Sequence, residues 1–85
     1  MAAFKLFFKK SVQKDFDGIA KKDLKRILNR IEALAENPRP PGCEKLTGQE
    51  RYRLRQRRYR IVYSIQDDLL TVWVVTVGHR KQIYR

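Results

Sequence analysis

Arginine crowds one stretch of this 85-residue chain. Within Arg51-Tyr-Arg-Leu-Arg-Gln-Arg-Arg-Tyr-Arg60-Ile-Val-Tyr63, six of the first ten residues are arginine and none of the thirteen is acidic. A guanidinium donates hydrogen bonds in a planar fork that fits phosphate oxygens. Such a stretch can hold a phosphodiester and stabilise charge that develops on it. It is a poor proton donor or acceptor, because arginine stays charged at any ordinary pH. Histidine is the residue type that titrates near neutrality, and the chain has one, His79, beside Arg80 and five residues before Tyr84. Glu50, just ahead of the basic stretch, is a further candidate base. Its plain reading is a solvated loop acid.

The positions of these groups depend on strands. Side chains alternate faces along a strand, so Arg53, Arg55 and Arg57 share one face while Tyr52 and Leu54 take the other. After a reversal near Arg57-Arg58, Tyr59, Ile61, Tyr63 and Ile65 fall on one side and Arg60 on the other. The two strands thus have an oily face and a cationic face. Tyr59 and Tyr63 could stack on bases, but their parity with Ile61 and Ile65 predicts core packing, and Trp73 reads as core too.

Residues 3–9 carry Phe4, Leu6 and Phe8 at period two and predict a first strand. Ser11 is a fitting N-cap. Val12, Phe16, Ile19 and Ala20, then Leu24, Ile27, Leu28, Ile31, Leu34 and Ala35, recur at helical spacing. The expectation is two helices, about 11–17 and 20–36, broken near Gly18, with one long kinked helix as the alternative. Asn37-Pro38 ends the second, since the residue before proline leaves the α region. Residues 39–48 read as a loop and Asp67-Asp68 as a turn. The β-branched run to Val77 is apolar on both faces, as a central strand would be. The order β-α-α-β-β-β predicts a single α+β domain over 1–85, with a helical hairpin on one face of a mainly antiparallel, four-stranded sheet.

A net charge of +11 and 42% hydrophobic residues describe a folding chain that attracts polyanions. No apolar run reaches the roughly 18 residues needed to span a bilayer. Cys43 is alone, which leaves no internal disulfide and no cysteine metal cluster. A reduced, cytoplasmic setting is the expectation.

Three segments resemble the RelE branch of the RelE/ParE toxin superfamily. They are Lys45-Leu46 leading into Tyr52-Arg-Leu-Arg55, then Tyr59-Arg-Ile-Val-Tyr63, then Val77-Gly-His-Arg80 followed by Tyr84. The likeness runs over almost the whole chain. It implies a microbial-ribonuclease-like fold and a cytoplasmic type II toxin that cuts messenger RNA in the ribosomal A site. Cleavage would use the substrate's own 2′-hydroxyl, with no metal or cofactor, and an acidic RelB-like antitoxin would wrap and block the protein. By the same resemblance Arg60 clamps the scissile phosphate, Arg80 serves near the leaving group, and Tyr84 stacks on a base and assists proton transfer. Arg53 and Arg55 stand where the family carries lysines, which keeps phosphate binding and removes a group able to lose its proton. His79 reads as catalytic or structural. Lys45, Arg51, Arg57, Arg58 and Lys81 are expected RNA contacts, with a solvated basic face as the plain reading. Two rival functions are a ParE-like toxin that inhibits DNA gyrase and a non-catalytic RNA-binding module.

Overall fold

The computed structural model describes residues 3–48 and 50–79. The chain runs β1 (Lys5–Phe8), α1 (Lys10–Asp17), α2 (Lys21–Ala33), β2 (Glu44–Lys45), β3 (Tyr52–Gln56), β4 (Tyr59–Gln66) and β5 (Thr71–His79). The strands form one mixed sheet in the order β1-β5-β4-β3-β2. Among the described residues, only the β1–β5 pair is parallel. The α+β class, the two helices and the two long hairpin strands are as the sequence predicts. The sheet has a fifth strand, because Glu44 and Lys45 pair with Arg53 and Tyr52 where a loop is expected.

Helix α1 starts one residue earlier than expected, and Ser11 is not its cap. The Lys9 amide is still bonded to the Val74 carbonyl at 3.0 Å, so the helix begins as soon as the strand releases the backbone. Lys9 takes the N-cap position without a side-chain bond. Helix α2 ends at Ala33, three residues short of expectation. The Leu34 amide turns back to Ile31, and the Ala35 carbonyl is taken by the Phe4 amide of the chain entering β1 at 2.7 Å.

One sheet face carries the core. Val12, Ile19, Ile27, Ile31 and Leu34 from the helical layer pack with Leu54, Ile61, Tyr63, Val72, Val74 and Val77. Tyr63 is fully buried and donates from its hydroxyl to the Pro38 carbonyl at 2.7 Å. Tyr59 packs against the edge of the same cluster. Trp73 does not join it. In the register, Trp73 pairs with Ser64 on one side and Phe7 on the other, across the sheet from Val72 and Val74. There it stacks on Phe7 with ring centroids 5.0 Å apart.

Strand β5 contains a β-bulge. Val62 pairs with Thr76 and Tyr63 with Val74, so Val75 is an extra residue. A bulge of this kind changes which face later side chains occupy. Among the described residues β5 has no strand on its outer side beyond the bulge, and Asp15 of α1 accepts a hydrogen bond there from the Val77 amide at 3.1 Å.

Candidate nucleic-acid interface

The face opposite the core is the cationic one. Arg55 stands directly across from Arg60, Arg53 across from Val62, and Gly78 across from Arg60 on the other side. Cross-strand partners project to the same face, so Arg53, Arg55 and Arg60 form a cluster over three adjacent positions. The parity of the sequence places them correctly.

These arginines differ in environment. Arg55 is exposed, whereas Arg60 is only 1% exposed. The plain reading of Arg60 as a solvated surface charge therefore fails. A guanidinium withdrawn from water acts on an anion through a less polarisable medium, which strengthens its pull. Arg53 is half-buried and donates from Nη2 to Glu44 Oε1 at 3.2 Å.

Glu44 is the residue that sequence reasoning missed. It lies in a stretch without periodicity, and a two-residue edge strand gives no signal of its own. Pairing with β3 sets its carboxylate on the arginine face, 59% exposed. Glu50 takes no such place. It forms a loose 3.8 Å pair with Lys45 and lines an open hollow of about 670 Å³ with Arg51, Ser64, Gln66, Asp67 and Asp68. Lys45 follows Glu44 on the outermost strand and pairs with Tyr52, on the other side of the sheet from Arg53.

His79 also stands apart from Arg60. It pairs with Tyr59, and the two rings meet edge to face with centroids 5.9 Å apart. The bulge at Val75 puts it there. Counted by twos from Trp73, His79 would share the face of Trp73, and the extra residue moves it to the helix side. Arg57 and Arg58 form the exposed β3–β4 turn, in which Arg57 is left-handed with φ 56°. Arg80, Lys81 and Tyr84 lie outside the described residues. Among the described residues, no three His, Cys, Asp or Glu side chains converge as a metal site would need.

At the far end of the sheet, Arg39 grips Asp67 in a two-pronged bond of 3.0 and 2.9 Å, with Tyr52 under its guanidinium. The bond to Arg39 holds the Asp67 carboxyl below its ordinary value. This clasp ties the loop after α2 to the end of β4 and leaves the arginine cluster free of it.

Comparisons with known proteins agree with the fold. The sequence model for the ParE toxin of type II toxin-antitoxin systems, parDE, matches residues 6–84. The chain belongs to this family of toxins, within the RelE/ParE superfamily. It is a type II toxin with a RelE-like fold. Solved structures similar to it include the intact Escherichia coli RelBE toxin-antitoxin complex, at 26% identity and TM-score 0.78 over 91% of this chain and 96% of that one. The RelB-RelE complex from Methanococcus jannaschii is 29% identical, with TM-score 0.76 over 92% and 94%. The RelBE2 complex from Mycobacterium tuberculosis shares the fold at TM-score 0.83, with 22% identity over 94% of each chain. A search of curated protein sequences returns no match. Among the described residues, no helix is long and apolar enough to cross a membrane.

Proposed function

We propose that this toxin is a ribosome-dependent endoribonuclease that cuts messenger RNA in the A site. The observation that carries the proposal is the shared face of Arg53, Arg55, Arg60 and Glu44. Cleavage by an internal 2′-hydroxyl needs donors for the charged phosphorane, a base for the hydroxyl and an acid for the departing 5′-oxygen. Arg55 supplies exposed donors, and the buried Arg60 beside it supplies positive charge beneath the phosphate. Glu44 supplies a carboxylate, which fills the role that arginine cannot. Arg53, bonded to Glu44, holds that carboxylate in place. Glu44 stands level with Arg53 and Val62, two strands from Arg60 and two residues along, roughly 12 Å between backbones. Arg80 and Tyr84 are proposed for the leaving-group side, and Lys45, Arg51, Arg57, Arg58 and Lys81 for RNA contacts. No cofactor is invoked, and the setting is cytoplasmic.

The inhibitory partner is an acidic, RelB-like antitoxin. Phe7, 42% exposed and stacked with Trp73, is an apolar anchor on the same face as the arginines. An amphipathic acidic segment can cover both and become ordered as it binds.

One observation favours a second reading. The matching family model is that of ParE, so gyrase inhibition without cleavage is the competitor. A growth-arrest assay with Arg60→Ala plus Arg80→Ala separates them. The proposal expects arrest to be lost while antitoxin co-purification is retained. Undiminished arrest with inhibited supercoiling by gyrase would establish the second reading.

A further inference from the structure

A second cleft lies on the helix side of the sheet, at the β3–β4 turn. It measures about 420 Å³ and is lined by Asp23, Arg57, Arg58, Tyr59 and His79. Its size falls within the roughly 300–1,000 Å³ range of small-ligand sites. None of its walls belongs to the arginine–glutamate cluster. The lining divides into three kinds of chemistry. Two arginines stand at the rim on the turn. Two rings, from Tyr59 and His79, stand edge to face and offer flat surfaces. One carboxylate, Asp23 in the first turn of α2, accepts a 3.5 Å hydrogen bond from the Tyr59 hydroxyl.

The turn carries a further sign of use. A two-residue β-turn with a left-handed position favours glycine or asparagine there, yet this one holds Arg57 at φ 56°. The unfavourable backbone conformation keeps a cation at the rim of the cleft. Strain of this kind is found at ligand-binding positions.

We propose that this cleft binds one nucleotide of single-stranded RNA, away from the reaction centre. Arg57 and Arg58 take the phosphate, one face of the Tyr59–His79 ring pair stacks on the base, and the Asp23 carboxylate accepts from the donor edge of the base. Asp23 would repel a bare phosphate, so the ligand that fits this cleft pairs an anion with a hydrogen-bond donor. Guanine presents two adjacent donors, N1–H and the N2 amine, that match both oxygens of one carboxylate. Uracil presents a lone N–H between two acceptors and fits worst. The cleft therefore favours a guanine nucleotide over a uracil one. Because Arg57 and Arg58 sit at the tip of the hairpin whose other face bears Arg55 and Arg60, one RNA can pass from the cluster around the turn into the cleft. The proposal rests on the endonuclease reading only in taking RNA as the polyanion.

The single histidine makes the test direct. In the full-length toxin, the His79 ring gives one set of imidazole resonances, followed by NMR during titration with GMP, UMP or inorganic phosphate. The expected result is a saturable His79 shift with GMP, at about tenfold lower concentration than with UMP, from one carboxylate-bound base edge. Asp23→Asn should bring the two nucleotides level, and Tyr59→Phe, which keeps the ring, should retain binding. No saturable shift with any nucleotide would overturn the proposal, as would an equal response to inorganic phosphate alone. No ribosome or cleavage enters the readout. Its failure leaves the endonuclease reading standing, and a toxin that fails to cut can still pass it.

Discussion

Replacing Glu44 by glutamine separates chemistry from architecture on the arginine face. The Arg53–Glu44 contact is 3.2 Å long and the Glu44 side chain is 59% exposed. An ion pair this open to water contributes roughly 0.2–1 kcal/mol. Glutamine keeps an acceptor oxygen for Arg53, so the loss should be near 0.5 kcal/mol at most. For a domain of this length that moves the melting point by about 2–4 °C. A general base contributes about 10²- to 10⁴-fold to rate, or roughly 3–5 kcal/mol of activation free energy. The two scales differ enough to be read apart. Thermal unfolding followed by circular dichroism measures the first, and single-turnover cleavage on programmed ribosomes measures the second. We expect E44Q to melt almost like wild type and cleave at least about 100-fold more slowly. Glu44→Asp, which keeps the carboxylate one methylene shorter, should recover part of the rate. An E44Q protein that cleaves within about threefold of wild type would refute the base assignment. Glu44 would then be only an anchor for Arg53.

Three further outcomes follow from the packing. Tyr63→Phe removes the buried bond to the Pro38 carbonyl and should cost about 1–3 kcal/mol in urea unfolding at pH 7. Burial raises the Tyr63 phenol above its ordinary value. Its stabilising share is therefore complete below about pH 10 and lost as pH rises, by up to roughly 1.4 kcal/mol per unit. The gap between Y63F and wild type should narrow over that range, and a constant gap would contradict the burial argument. Arg57→Gly relieves the left-handed backbone at φ 56° and should add about 0.5–1 kcal/mol of stability. A destabilised variant would show that the arginine side chain outweighs the backbone term. Asp15→Ala removes the acceptor of the Val77 amide and should cost about 1.5–3 kcal/mol, because the bond is to a charged group. Hydrogen exchange at the Val77 amide should quicken by at least about tenfold, and unchanged protection would place that amide's restraint elsewhere.

Much of the cationic face was legible in the sequence because strand parity is strict. Alternation in 52–65 separates Arg53, Arg55 and Arg60 from Leu54, Ile61 and Tyr63, and the register reproduces that division. The helical stripe was legible for the same reason, with Val12, Ile27, Ile31 and Leu34 all fully buried. Three features were not. Glu44 becomes strand only through the edge of β3, so nothing local marks it. Trp73 sits in a run where every residue favours a strand, and the sequence cannot say which face the helices cover. The bulge at Val75 falls in that same run, where no glycine or proline marks the irregularity, and it shifts His79 away from the face of Trp73. Each miss arises where pairing between distant segments, rather than local preference, decides the position.

The central claim is that the arginine face cuts RNA on the ribosome. Its most direct test is primer extension on ribosomes programmed with defined A-site codons, with purified toxin and a ribosome-free control. The account predicts a cut within the A-site codon only when ribosomes are present, lost with Arg60→Ala. Intact messenger across several codons, from a toxin that still arrests growth, would contradict it.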